Sequence, residues 1–438
     1  GGNTITINGG GNTVSAANGD TINLSGNGTT GANGGIDTVN MYYGTINVSA
    51  NTDVQGNYSG NTINVANNDT VSVSGNANTV TSTGSNTSIS VTGNNNIVNA
   101  IASDTVTIAG NGDTVNTTGI ASVSLSGYSN IVNAYSGSSI TLATNATTTV
   151  NGTNLTITGT AGSITVTGNN DTVNTTGSNV TYNANNTGEI LVGNNNTVTG
   201  GSGVSLVLGA AGDTVNLSNA AMINFAENYG GSNTINGNNN AVFFGTGVSE
   251  TINGNNNTIT FNGDPDGGGH ANITVNGTGN TVIAASTDTI ILATGATATI
   301  SGSNLTIQGN GNTYRFGRGN GQDILINGLS SNTGPSGELD LGTNIAKDQI
   351  WFEKVGNNLQ VDILGTTDHM TINNWYSNSY SQLSSIYTAA GNVIDTQIAQ
   401  LVQAMATYST NHAGFNPATA TAMPTDATLQ STLVASWH

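Results

Sequence analysis

The acidic and amide side chains carry most of the chemistry that this sequence could perform, because they recur at one position of a short repeat. Eight segments read Asp-Thr followed by Val or Ile, and eight more read Asn-Thr followed by Val or Ile. Carboxylate and amide oxygens are the ligands that hard cations such as Ca²⁺ prefer. The repeats begin at Asp20, Asp37, Asp69, Asp104, Asp113, Asp171, Asp213 and Asp288, and at Asn3, Asn12, Asn61, Asn78, Asn196, Asn233, Asn257 and Asn280.

Candidates for acid–base catalysis are confined to one irregular segment, which contains Asp264, Asp266 and His270. These side chains could bind a metal or act as acid and base, but Pro265 and the neighbouring glycines equally suit an ordinary turn. The four histidines lack zinc-site spacing, and neither a Gly-x-Ser-x-Gly elbow nor a phosphate-binding loop is present. We expect no enzyme, and a polysaccharide-active β-solenoid enzyme stays the alternative.

The charge distribution limits the partners. No Lys or Arg precedes Arg315, whereas fourteen acidic residues do, and the formal net charge is −19. This predicts an acidic surface that attracts cations and binds neither nucleic acid nor anionic lipid, which both need basic side chains. No run approaches the roughly 18 apolar residues of a membrane-spanning helix, so we expect no membrane insertion.

The repeat also predicts the elements that position these side chains. Units of eight to ten residues combine a short strand with a Gly/Asn turn, and two units make a coil of about 17–18 residues. We therefore predict an all-β, parallel β-solenoid over residues 1–310, with each Val or Ile facing inward and Asn side chains forming ladders along the axis. An antiparallel β-sandwich and disorder are the alternatives.

Composition changes near Tyr314, where charges and aromatic residues appear. The segments YRFGRGNGQD, DQIWFEKVGNNLQV, Asn-Trp-Tyr and LVQAMATY follow in order, and the chain ends in LQSTLVASWH. This region resembles the haemolysin-type calcium-binding related domain of RTX (repeats-in-toxin) proteins, which precedes a type I secretion signal. The resemblance implies a β-rich module over residues 311–394 and a helical cap with the export signal over residues 395–438.

The resemblance also implies Ca²⁺ as a cofactor, at few sites. Gly319, Gly321 and Asp323 keep the family's Gly-x-Gly-x-Asp spacing and are the best candidate, with an ordinary glycine turn as the alternative. In the repeats, Asp113, Asp171 and Asp213 have the family's spacing between the acid and the inward aliphatic residue. Many of the family's glycines and acids are replaced here by Asn, whose amide oxygen is a neutral ligand. We therefore expect Asn ladders, rather than bound Ca²⁺, to stabilise most of the solenoid.

One helix is predicted near the C-terminus. Asp395 can cap a helix from Thr396 onward, because its carboxylate can accept from free backbone N–H groups. An apolar stripe at helical spacing follows, made of Ile398, Leu401, Val402 and Met405.

The function expected from these observations is that of a secreted bacterial structural protein of the cell surface, a filament or a biofilm matrix. Its expected partners are copies of itself, assembled with cations, and cell-surface polysaccharide. A module that binds ice or carbohydrate is the alternative, because Thr-x-Thr pairs occur at Thr4/Thr6, Thr156/Thr158, Thr165/Thr167 and Thr297/Thr299.

Overall fold

The computed structural model of the protein describes residues 1–25, 36–49, 52–209, 211–225, 232–245, 247–261, 271–284, 288–293, 296–302, 304–328 and 334–438. The chain divides into two compact units, Gly1–Asn216 and Leu217–His438. The predicted Asp264, Asp266 and His270 lie outside the described residues.

The first unit is a parallel β-solenoid in which successive strands alternate between two sheets. Each strand pairs in parallel with the strand one coil later, as Thr62 does with Thr79 and Ser88 with Thr105. The coil of about 17–18 residues is thereby confirmed, and the antiparallel sandwich is wrong. Strands β1 to β25 span Thr4–Asn8, Thr13–Ser15, Thr21–Ser25, Asp37–Tyr42, Thr45–Val48, Asp53–Ser59, Thr62–Val65, Thr70–Ser74, Thr79–Ser82, Ser88–Thr92, Ile97–Ala100, Thr105–Ala109, Thr114–Thr117, Ser122–Ser126, Asn130–Asn133, Ser139–Leu142, Thr147–Asn151, Thr156–Thr160, Ser163–Thr167, Thr172–Thr176, Asn179–Tyr182, Glu189–Val192, Thr197–Gly200, Ser205–Gly209 and Thr214–Leu217.

The core of this unit lies between the two sheets and is aliphatic. Side chains alternate between buried and accessible along each strand, as the pleat requires. The Val or Ile of the repeat takes the buried position, and Ile63, Val80, Val98 and Val115 form one fully buried column. The predicted inward-facing aliphatic residue is therefore confirmed.

The turns depend on residues that adopt a left-handed backbone. Asn95, Gly112 and Asn170 directly precede a corner residue, and their φ angles are 58°, 69° and 59°. Gly and Asn adopt this conformation at little cost, whereas β-branched residues do so rarely. The Asn and Gly of the repeat thus set the direction in which the chain enters each strand.

The second unit begins with the same parallel architecture. Parallel pairing continues past residue 310, where the composition changes, since Thr313 pairs with Glu338 and Gln322 pairs with His369. The strands predicted around Trp351 and Leu359 form an antiparallel hairpin. Strands β26 to β43 span Met222–Phe225, Thr234–Asn236, Ala241–Phe244, Ser249–Asn253, Thr258–Phe261, Asn272–Asn276, Asn280–Ile283, Thr289–Leu292, Ala298–Ser301, Thr306–Gly309, Thr313–Phe316, Gln322–Asn327, Glu338–Leu341, Ile350–Val355, Asn358–Ile363, His369–Ile372, Ser385–Tyr387 and Val393–Ile394.

Two helices, α1 (Ile398–Asn411) and α2 (Ala427–Ser436), belong to the second unit. The stripe predicted for α1 is buried, and the Sδ of Met405 accepts from the N–H of Phe352 at 3.1 Å. The predicted cap is wrong: Asp395 bonds Thr396, but α1 has Gln397 at its N-cap because the chain turns helical only there. Within the described residues, no helix combines the length and apolar character needed to cross a membrane.

Candidate functional site

Polar side chains are buried at many corners of the solenoid, directly before a strand or at its first residue. The backbone N–H of such a corner residue points along the axis and is bonded by the corner side chain of the next coil. The N–H of Asn78 donates to Oδ1 of Asn96 at 2.9 Å, and the N–H of Asn96 donates to Oδ1 of Asp113 at 2.7 Å. A buried N–H without a partner is costly, so the recurring Asx supplies the acceptor that the corner requires. We call these columns the corner ladders.

Some aspartates in the corner ladders have both carboxylate oxygens bonded. Oδ1 of Asp104 accepts from the N–H of Thr87 at 2.9 Å, and its Oδ2 accepts from the N–H of Ile101 at 2.8 Å. Asp69 makes the same pair of bonds. The second donor lies three residues before the aspartate, in the turn, so this turn type suits a carboxylate better than an amide.

The predicted calcium ligands Asp113 and Asp171 have only one oxygen bonded. Oδ1 of Asp113 accepts from the backbone and side-chain N–H groups of Asn96, and Oδ1 of Asp171 accepts from the N–H of Leu155, whereas Oδ2 of each is buried without a hydrogen-bond partner. Burial raises the pKa of Asp113, and it raises that of Asp171 to about 6. Asp69 and Asp104 are equally buried but have a second backbone N–H that bonds Oδ2.

The third predicted ligand of this kind, Asp213, also sits in a corner ladder. Its Oδ1 accepts from the N–H of Asn196 at 2.7 Å, and burial raises its pKa. The structure brings none of the three predicted aspartates together: each lies in a different coil. Among the residues that the structure describes, no three Asp, Glu, His or Cys side chains are grouped to hold a metal ion.

One polar cluster in the first unit was missed by the sequence analysis. Thr172 pairs with Ile190, so Glu189 occupies the corner position one coil after Asp171. Glu189 is fully buried, and the backbone N–H groups of Asn170 and Asp171 lie near its carboxylate without reaching hydrogen-bond geometry. The hydroxyl of the buried Tyr182 has no hydrogen-bond partner. We call Asp171, Tyr182 and Glu189 the acid cluster.

The electrostatics of the acid cluster favour neutral or neutralised carboxyls. Burial, and then the charge of Asp171, raise the pKa of Glu189 to about 8. Burial and the two carboxylates also raise the pKa of Tyr182 well above its usual range. Two carboxylates in adjacent coils repel each other in a medium of low polarity. A proton or a cation relieves that repulsion, so this cluster can couple the solenoid to either.

The predicted calcium turn near Gly319 is organised by a residue that the sequence analysis did not consider. The N–H groups of Gly319 and Gly321 both donate to the carboxylate of Asp368, at 2.9 Å each. Asp323 points elsewhere: its Oδ1 accepts from the N–H of Leu305, and burial raises its pKa to about 7. The turn thus binds a carboxylate through its backbone, and calcium binding here stays a prediction.

The acidic surface expected from the net charge is wrong for the first unit. The acidic side chains that the structure describes there are buried at corner positions, where the aspartates supply oxygen acceptors for backbone N–H groups of the preceding coil. Asp20, Asp37, Asp69, Asp104, Asp113, Asp171, Glu189 and Asp213 are each at most 3% exposed.

A scan against protein-family models finds no family that matches this chain. The resemblance to RTX proteins therefore stays a prediction.

The acid cluster could have been found from the sequence, because Glu189 follows Asp171 by 18 residues, one coil length.

Proposed function

We propose that this chain is a bacterial extracellular structural protein that assembles with copies of itself or adheres at the cell surface, with a dependence on cations. The observation that carries the proposal is an uncharged outer face of the first unit. We call it the hydroxyl face, and it is formed by the outward side chains of β8, β10, β12, β14, β16 and β18.

Parallel register arranges the hydroxyl face into columns of Ser and Thr. One column contains Thr107, which aligns with Ser90 on one side and Ser124 on the other. Hydroxyls one coil apart are separated by the strand spacing of about 4.8 Å. The two columns are Ser72, Ser90, Thr107, Ser124, Thr141 and Thr158, and Thr70, Ser88, Thr105, Ser122, Ser139 and Thr156.

The opposite face uses its polar groups internally. Asn116 donates to Asn99 at 2.9 Å, Asn133 donates to Asn116 at 2.7 Å, and Asn151 donates to Asn133 at 2.8 Å. Their amides are thus engaged along the axis, whereas a rotating hydroxyl can both donate and accept. The hydroxyl face is the better surface for a partner, and its lack of charge means that copies of the chain do not repel one another there.

Cations then act at the buried carboxyls rather than between surfaces. A cation at the acid cluster would displace the proton of Glu189 and hold its carboxylate together with that of Asp171, which would stabilise the coils that carry the hydroxyl face.

Assembly is tested by placing a charge on the hydroxyl face. Thr107→Glu should reduce polymer formation at least tenfold relative to the unmodified chain, in sedimentation and electron microscopy with and without added Ca²⁺, because the carboxylate must be desolvated at a contact. Thr199→Glu, at an exposed strand position of the opposite sheet, is the matched control and should assemble normally. A chain that stays monomeric at high concentration with and without Ca²⁺ rules out self-assembly.

A second candidate function is binding of neutral polysaccharide or ice. It is favoured by a groove of about 680 Å³ beside the hydroxyl face, lined by Thr105, Ser122, Ile120 and Tyr135. Ile120 and Tyr135 are 58% and 51% exposed, and an exposed aromatic ring beside hydroxyls suits a sugar ring. Sugar binding is supported if the chain is retained on immobilised neutral glycans and Tyr135→Ala abolishes that retention. Thermal hysteresis of the solution would support ice binding.

A further inference from the structure

A small polar cleft lies on the antiparallel part of the second unit. It has a volume of about 260 Å³ and is lined by Glu353, Asp362, His369 and Thr366, among others. Glu353 belongs to β39, Asp362 to β40 and His369 to β41, so three adjacent strands each contribute one ionisable side chain. Glu353 pairs with Gln360 and Asp362 lies two residues further along, which makes the two acids diagonal neighbours on one face.

The carboxyl of Asp362 is buried in this cleft and only half bonded. The residue is 8% exposed, its Oδ1 accepts from Nε2 of Gln360 at 2.8 Å, and its Oδ2 has no hydrogen-bond partner. Nδ1 of His369 lies 4.0 Å from the same Oδ1, beyond hydrogen-bond distance. Asp362 lines the cleft, so an ion bound there lies next to a carboxyl whose second oxygen has no partner within the described chain.

The charge of the cleft is negative once both acids are ionised. Burial raises the pKa of Asp362 to about 7, with a further contribution from Glu353. Burial lowers the pKa of His369, so its ring is neutral at neutral pH and does not balance the carboxylates. No Lys or Arg is among the described residues that line the cleft.

We propose that this cleft binds one divalent cation through the carboxylates of Glu353 and Asp362. The hydroxyl of Thr367 is a further oxygen ligand at its wall, whereas that of Thr366 already bonds Ile363 and Asp368, and water completes the coordination sphere. Such an oxygen-rich site with two carboxylates suits Ca²⁺ or Mg²⁺ with a Kd of about 10⁻⁴ to 10⁻³ M, the range of extracellular calcium modules. The site is independent of the hydroxyl face and of the predicted turn at Gly319.

Calorimetric titration of the full chain with CaCl₂ and with MgCl₂, at about pH 8, tests the site. We expect Glu353→Gln and Asp362→Asn each to bind one cation fewer than the unmodified chain, or to bind it at least tenfold more weakly. Asp348→Asn removes an exposed carboxylate of the same unit and should leave the titration unchanged. Tryptophan fluorescence gives a second readout, because Trp351 pairs directly with Asp362 and all three tryptophans lie in this unit.

The affinity should also fall between about pH 8 and pH 6, since a proton then competes at Asp362. The ionisable groups around it are Glu353 on β39 and His369 on β41, with Asp368 next along the chain. Unchanged stoichiometry and affinity in both variants, or no binding by the unmodified chain at about 10 mM of either cation, would overturn the proposal. Circular dichroism confirms that each variant is folded, and Glu353→Gln alters a partly exposed side chain that the fold tolerates.

Discussion

A single atom decides whether Asp or Asn suits a corner of this solenoid. Both residues present Oδ1 to the N–H of the preceding coil, and they differ only in the second polar atom. After a turn that offers an N–H, as at Asp104, that atom must be an oxygen. After a turn that offers carbonyls, it must be a donor: Nδ2 of Asn130 donates to the carbonyls of Gly110 and Ser126, at 3.1 and 3.2 Å.

Asp113 has the wrong second atom for its turn, so Asp113→Asn should stabilise the protein by about 1–2 kcal/mol at neutral pH, because it replaces an unpartnered buried oxygen with a donor. Asp104→Asn is the matched control and should destabilise by a similar amount, since it removes the acceptor for Ile101. Urea unfolding of both variants measures the difference. Equal effects of the same sign would contradict this interpretation of the corner.

Glu189→Gln should change how stability depends on pH. The folded state holds the proton of Glu189 up to a pKa of about 8, whereas the unfolded state releases it near 4.5. The unmodified protein therefore loses stability as pH rises between these values, by at most about 1.4 kcal/mol per pH unit. The Gln variant has no such proton to lose, so its free energy of unfolding should not show this decrease. Unfolding of both proteins at pH 5, 6.5 and 8 measures the difference, and the same pH dependence of stability in both would refute the prediction.

At the scale of the element, each coil is held by two kinds of ladder with different importance. The corner ladders are buried and satisfy backbone groups, whereas the ladder of Asn99, Asn116, Asn133 and Asn151 lies on an outer face. The aliphatic column between the sheets opposes a shift by one residue, because that shift would turn Val and Ile outward. A shift by two residues keeps the alternation, and only the corner ladders oppose it, because it would separate their buried N–H groups from the acceptors of the next coil.

The two ladders predict different costs for the same substitution. Asn96→Ala should destabilise by about 2–3 kcal/mol, since it removes the acceptor of the buried backbone N–H of Asn78 and the Nδ2 that donates to Oδ1 of Asp113. Asn116→Ala should cost less than about 1 kcal/mol, because water replaces its bonds. Thermal unfolding of the two variants compares them directly, and a larger loss for Asn116→Ala would show that the outer ladder dominates.

At the scale of the molecule, burial changes the charge that the protein presents. The formal value of −19 assumes that all carboxyls are ionised. At pH 7, however, Glu189 is mostly protonated, and Asp323 and Asp362 are each about half protonated. The native protein should therefore be less negative than the denatured chain by about two charges. Capillary electrophoresis of native and urea-denatured protein measures this difference, and identical charge would mean that the buried carboxyls are ionised.

The sequence by itself determined the parallel solenoid, its coil length and its inward aliphatic column. These depend on periodicity: a strand with period two and a turn that needs Gly or Asn recur at fixed spacing, and Val115 or Ile63 must then face a shared interior. The apolar stripe of α1 follows from periodicity in the same way.

Only the tertiary structure decided where the polar groups lie. Composition predicted an acidic surface, but the aspartates of the first unit are buried, because they accept from N–H groups of the preceding coil, 17 residues earlier at Asp104 and Asp113. The meeting of Glu353 with Asp362 depends on which strands become neighbours. Register also arranges the scattered Ser and Thr residues into columns. Spacing along the chain specifies the strands and turns of each coil. Contacts between coils depend on how neighbouring coils align, and insertions in the turns change that alignment.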